Sequence, residues 1–138
     1  MSNLFKKALS FVLKWEGGYV NNPNDKGGAT NKGITQGTYN NWLISQGKSR
    51  KDVKFISQQE VEEIYYKNYW LKAGCDKMSK VFAVICFDTA VNMGVGRVKE
   101  FLQAACWTDP QKFLAEREQK YREFAKYGNQ KIFLNGWL

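Results

Sequence analysis

The chain has 138 residues, 43% of them apolar, with five Trp, seven Tyr and nine Phe, and it sets 21 Lys plus Arg against 13 Asp plus Glu. That length and apolar content suit one folded domain burying about two-thirds of its unfolded surface, and they exclude a disordered chain; no run approaches the roughly 20 apolar residues of a membrane span, so no stable membrane insertion is expected. A formal charge of +8 favours an anionic polymer as partner, whether nucleic acid, cell wall or acidic membrane surface, while the absence of His removes Ser-His-Asp and Cys-His catalysis and most zinc sites, leaving carboxylates as the proton carriers of any enzyme.

Leu4, Phe5, Ala8, Leu9, Phe11, Val12 and Trp15 recur at three- and four-residue intervals, which predicts an amphipathic helix over residues 3–16 that Gly17 and Gly18 stop. Lys14 interrupts the apolar run and no small-residue cleavage pattern follows, so this segment reads as part of the fold, and synthesis without a Sec signal is expected. Residues 17–35 are rich in Gly, Asn, Asp and Thr and support at most a small irregular hairpin. A second helix is expected over 36–46, then a solvated basic linker, GKSRKDVK. Ser57-x-x-Glu60 is a capping box that opens a third helix running to about Tyr69. Residues 79–93 are apolar nearly all round, as in a central helix enclosed by others. A short helix over 96–106 follows, and Asp109-Pro110 opens a charged one to about Tyr127; the tail NQKIFLNGWL is apolar enough to pack back onto the domain. The expectation is one mainly α domain over 1–138 with a small irregular β region near 17–35. Cys75, Cys86 and Cys106 are odd in number and widely spaced, which fits buried thiols in a reducing compartment and neither a disulfide framework nor a metal pair.

Chemistry concentrates at KWEGGY. At about 100° per residue, Glu16 falls on the stripe of Phe5, Leu9 and Val12 and points inward, where lost hydration and the helix dipole both favour a neutral, proton-donating carboxyl. The bland alternative is a last-turn Glu swung out to solvent. Two following glycines leave room beside the carboxyl, and Trp15 and Tyr19 offer faces on which a sugar ring can lie. Nine residues on stands Asp25, then Thr30 and the Gly33-Ile34-Thr35 triplet. Glycosidic cleavage uses one acid on the leaving oxygen and often a second carboxylate to orient water, roles that Glu16 and Asp25 fit; PNDKG is equally a turn in which Asp bonds nearby N–H groups. Asp88 and Asn92, four apart on the apolar central helix, read as a structural pair pinning the N-terminal loop, with Asn92 in a sugar cleft as the alternative. Tyr65, Tyr66, Tyr69 and Trp70 form an aromatic cluster that serves the core or, in part, stacks on sugars.

The segment EGGYVNNPNDKGGATNKGIT resembles the signature of the glycoside hydrolase family 108 muramidases, found as phage endolysins and as bacterial secretion activator proteins. Asp88-x-x-x-Asn92-x-Gly94, Leu102-Gln103 and the terminal Gly136-Trp137-Leu138 extend the resemblance over most of the chain. It implies a lysozyme-like, mainly α domain that cuts peptidoglycan glycan strands between N-acetylmuramic acid and N-acetylglucosamine without metal or organic cofactor, with Glu16 as catalytic acid. Phage-type lysozymes offer a second analogy, a Glu ending the first helix followed by an Asp and a Thr, which adds Asp25 and Thr30 to the catalytic set and leaves Tyr19, Thr35, Tyr69 and Asn92 to bind sugar. The D-G-x-x-G-x-x-T segment of many members is missing: LQAAC runs directly into WTDPQKFLAEREQ. The resemblance also implies action at the cell wall or periplasm after cytoplasmic synthesis, through a holin pore or a secretion system. Two rival classes are a basic helical nucleic-acid binder using ITQGTYNNWL and SQQEVEEIYY, and a wall-binding, secretion-linked protein without turnover.

Overall fold

The computed structural model describes residues 2–21, 28–105 and 107–125, and the chain divides into two compact units, Met1–Asn68 and Tyr69–Leu138.

The first unit opens with α1 (Asn3–Leu13), capped by Ser2, whose hydroxyl accepts from the Phe5 N–H at 3.2 Å. Phe5, Ala8, Leu9 and Val12 are buried at helical spacing. The helix stops three residues before its expected end. Lys14 and Trp15 donate to Phe11 and Val12, three residues back, at 3.3 and 3.1 Å, so the last turn tightens and the chain leaves the helical phase ahead of the glycines. Trp15, expected on the apolar stripe, is 77% exposed as a result, and Phe11 is exposed too.

The β region is a minimal hairpin, β1 (Thr30–Asn31) antiparallel to β2 (Ile34–Thr35), in register Thr30 to Thr35 and Asn31 to Ile34. The two-residue turn Lys32-Gly33 has φ of +52° and +79°, the sign pattern of a type I′ turn, whose twist matches that of the strands. Val20 bridges to the other side of Thr30 through two N–H···O bonds of 2.7 and 2.8 Å. Thr35 then caps α2 (Gln36–Ser45). The Gln36 side chain donates to the Lys51 carbonyl (2.8 Å) and accepts from the Val53 N–H (2.7 Å), which fastens the basic linker and the 3-10 turn Val53–Phe55 to α2. The capping box is present as expected: Ser57 and Glu60 bond each other's backbone at the start of α3 (Gln58–Tyr65). Beyond Tyr65 the helix widens into a π-helical stretch, Tyr66–Leu71, and the boundary between the units falls within it. Phe5 meets Tyr66 edge-on at 5.0 Å, and Tyr39, Leu43, Val53, Val61 and Ile64 complete a buried core.

The second unit is helical: α4 (Lys80–Met93), α5 (Val95–Ala104) and α6 (Pro110–Ala125), after a 3-10 turn at Cys75–Lys77. Asp109 accepts from the N–H groups of Gln111 and Lys112 at 3.1 and 3.2 Å, the expected start for α6. The central helix is less enclosed than its composition predicts: Ala83, Cys86, Phe87, Thr89 and Ala90 are buried, whereas Val81 is 57% exposed. Trp70 packs on Phe87, and Phe82 and Phe101 on Phe113, all edge-on at 5.5 to 6.3 Å. Cys75 and Cys86 are buried free thiols that burial pushes up to about 12, so they stay protonated and act as small apolar residues. Cys106, the tail from residue 126 and the Gly136-Trp137-Leu138 motif lie outside the described residues.

Asp88 and Asn92 find partners within the second unit. Asp88 pairs with the Arg117 guanidinium of α6 at 2.6 Å, and Asn92 donates to the Asp88 carbonyl and carboxylate at 2.9 and 3.2 Å. Arg117 also donates to Thr89 (3.1 Å) and lies over the Tyr121 ring. A buried guanidinium needs a carboxylate to offset its lost hydration, and Asp88 supplies it.

Candidate active site

Glu16 sits in the bend after α1 and is half-buried. Its position comes from the tightened helix end and from the hairpin, rather than from helical phase. The carboxyl lies against Gly33: a Cβ built on Gly33 would stand 3.0 Å from Glu16 Oε2 and 3.1 Å from its Cδ, and would collide with the Tyr65 hydroxyl. The carboxyl and that phenol oxygen therefore converge on one side of the turn. Gly17 and Gly18 have open space where side chains would stand, so the approach to the carboxyl from its own segment is clear.

Four hydrogen bonds hold the turn in place. Tyr65 donates from its hydroxyl to the Lys32 carbonyl at 2.7 Å. Asn31, buried, donates to the Val53 and Lys54 carbonyls at 3.0 and 3.3 Å. The Lys32 ammonium reaches Gln58 at 3.1 Å. With a period of two, Asn31 and Ile34 face inward and Thr30 and Thr35 share the opposite face, half-buried. Thr35 already has work as a helix cap, accepting from the Thr38 N–H (3.2 Å) and donating to its hydroxyl (3.0 Å). Tyr19 is 38% exposed, with the Lys54 ammonium 5.7 Å from its ring centre.

Of the residues singled out in the sequence, Glu16, Tyr19, Thr30 and Thr35 belong to the first unit, and Asp25 lies outside the described residues. Tyr69, half-buried in the π-helical stretch, and Asn92, exposed on α4, belong to the second. Gly33 and Lys54 had no functional role of their own from sequence, and Tyr65 entered only within the aromatic cluster read as core or, in part, sugar-stacking. A signal existed for the first: a two-residue Lys-Gly link between Thr-Asn and Ile-Thr demands positive φ and so a glycine. Nothing local separates Tyr65 from Tyr66, so its place beside Glu16 had no signal.

The second unit holds a pocket of 580 Å³ walled by Met78, Phe82, Leu102 and Trp107, with Lys77 among its polar lining. Among the described residues lining it there is no carboxylate. Among the described residues no three metal-ligating side chains come together, and no helix is long and apolar enough to cross a membrane.

A half-buried carboxyl beside a hairpin turn in a mainly α chain supplies the acid that a glycoside hydrolase needs. Residues 9–94 match the family model described as glycosyl hydrolase 108, and the chain belongs to that family. The match contains Glu16, Tyr19, Thr30, Gly33, Thr35, Tyr65, Tyr69 and Asn92. The structure is similar to that of SagA from Brucella abortus, at 27% identity over 96% of this chain and 86% of that one, with a TM-score of 0.75. No curated protein sequence matches. The lysozyme-like, mainly α fold is thereby established, within a family of peptidoglycan-directed glycoside hydrolases.

Proposed function

We propose that the protein is an N-acetylmuramidase that hydrolyses the bond between N-acetylmuramic acid and N-acetylglucosamine in peptidoglycan, with Glu16 as general acid. The observation that carries this reading is the half-buried Glu16 carboxyl lodged against Gly33 and beside Tyr65. Glu16 gives its proton to the bridging oxygen as the bond from muramic C1 breaks, positive charge builds on the muramic ring, and the N-acetylglucosamine 4-hydroxyl leaves. Water then bonds to C1 and returns a proton to a carboxylate, leaving a reducing muramic end. Asp25 and Thr30 orient that water; Tyr19, Thr35, Tyr69 and Asn92 contact the glycan.

The net positive charge suits a wall polymer rich in carboxylates. The reaction needs no metal or organic cofactor, and nucleic acid is not its partner. The protein acts at the cell wall, delivered by a holin pore or a secretion system, as an endolysin or a secretion activator would be. The test is release of reducing ends from purified walls by the parent and by Glu16→Gln, with mass spectrometry of the fragments. A folded Glu16→Gln protein that clears walls like the parent would falsify the assignment, and an anhydro product in place of a free reducing muramic end would replace hydrolysis by intramolecular transfer.

A further inference from the structure

Gly33 and Tyr65 share one small volume with the Glu16 carboxyl. The Lys32-Gly33 turn places both residues at positive φ, and Lys32 does so with a side chain that disfavours it. Such backbone strain persists only where surrounding structure holds it. Here the holding group is the Tyr65 hydroxyl, donating to Lys32 at 2.7 Å from 33 residues away. The side of Gly33 that any other residue would fill with a Cβ is occupied by that phenol oxygen and by Glu16 Oε2 and Cδ.

We propose that Tyr65 and Gly33 together are positioning residues for Glu16: the phenol fixes the turn, and the missing Cβ leaves the space that the carboxyl occupies, so that its acidic oxygen keeps one direction toward the glycosidic oxygen. The proposal rests on Glu16 being the acid. A general acid must lie within hydrogen-bond reach of the oxygen it protonates, and small angular freedom at the donor erodes the rate without altering how tightly glycan binds. Neither residue touches substrate in this account, so their removal is read in turnover and not in affinity.

The test compares Tyr65→Phe, Gly33→Asn and the double variant on soluble peptidoglycan strands, with melting curves followed by circular dichroism. Asparagine tolerates positive φ better than other side chains, so Gly33→Asn keeps the turn while its Cβ enters the shared volume. The expected result for each single variant is a kcat lower by about tenfold or more with KM within about twofold of the parent. Because phenylalanine lacks the oxygen that a Cβ would strike, the double variant loses less than the product of the two single losses. A Tyr65→Phe enzyme with parental kcat overturns the proposal, as do losses in which KM rises in step with a falling melting temperature, or single losses that simply multiply. Glu16→Gln is run alongside: if it retains parental activity, the assignment of the acid has failed, whereas a dead Glu16→Gln beside a fully active Tyr65→Phe rejects only the positioning role.

Discussion

The two units set a carboxylate in different company. In the second, Asp88 on α4 is locked by Arg117 at 2.6 Å and by Asn92, and Arg117 in turn bonds Thr89, so these groups satisfy one another. In the first, Glu16 lies on a bend between an irregular helix end and a six-residue hairpin, against a bare glycine and a phenol. A carboxylate held by a guanidinium and an amide is spent on structure. One placed beside a turn and a hydroxyl, with open approach past Gly17 and Gly18, suits proton donation. The regular helices bury the first kind, and the irregular segments present the second, because only a chain off its helical phase can aim one side chain independently of its neighbours.

The contrast is broken most strongly at Glu16: replacement by Gln lowers wall-glycan turnover by about 10² to 10⁴-fold, measured as reducing ends released, with the melting curve little changed. The opposite pattern is expected at Arg117. Arg117→Met strands the Asp88 carboxylate, costs about 3 kcal/mol in urea unfolding, and leaves turnover per folded molecule within about twofold. Equal effects of the two substitutions on both readouts would erase the distinction between the units.

Smaller effects sharpen the picture inside the first unit. Burial alone would raise the Glu60 carboxyl, but the Ser57 N–H, the Tyr39 hydroxyl at 2.8 Å and the Lys51 ammonium together hold it below its ordinary value of 4.5. A carboxyl with a lowered pKa in the folded state contributes stability that is complete above its unfolded pKa and is lost as pH falls through the folded one. Acid titration of the unfolding free energy should therefore show a decline beginning near pH 4.5 that is shallower in Glu60→Gln. The Tyr39 hydroxyl, pushed up by burial and by Glu60, stays a donor throughout that range. The smallest effect is expected for Ser57→Ala, which removes one half of the capping box and costs about 1 kcal/mol in the same unfolding assay.

Much of the fold was legible because its signals are local. The capping box at Ser57 and Glu60, the Asp109-Pro110 start of α6 and the hairpin region all stand where the sequence puts them. The caps depend on hydrogen bonds spanning two or three residues and the hairpin on a two-residue turn, so a short window of sequence contains the signal. The site was legible in part. Glu16 stood out as a carboxylate before two glycines, yet the geometric reason offered for it, continuation of the apolar stripe, fails because α1 ends at Leu13.

What the sequence by itself determined is the helical content, the caps, the place of the one short β region and the family signature around Glu16. What only the tertiary structure decided is company: Tyr65 beside Lys32 from 33 residues away, Glu16 against Gly33, Arg117 on Asp88, and a central helix left open at Val81. Backbone periodicity fixes which side of a segment is apolar only while its hydrogen-bond ladder lasts. Past the last rung, a side chain's neighbours depend on how distant elements pack, and no local pattern encodes that.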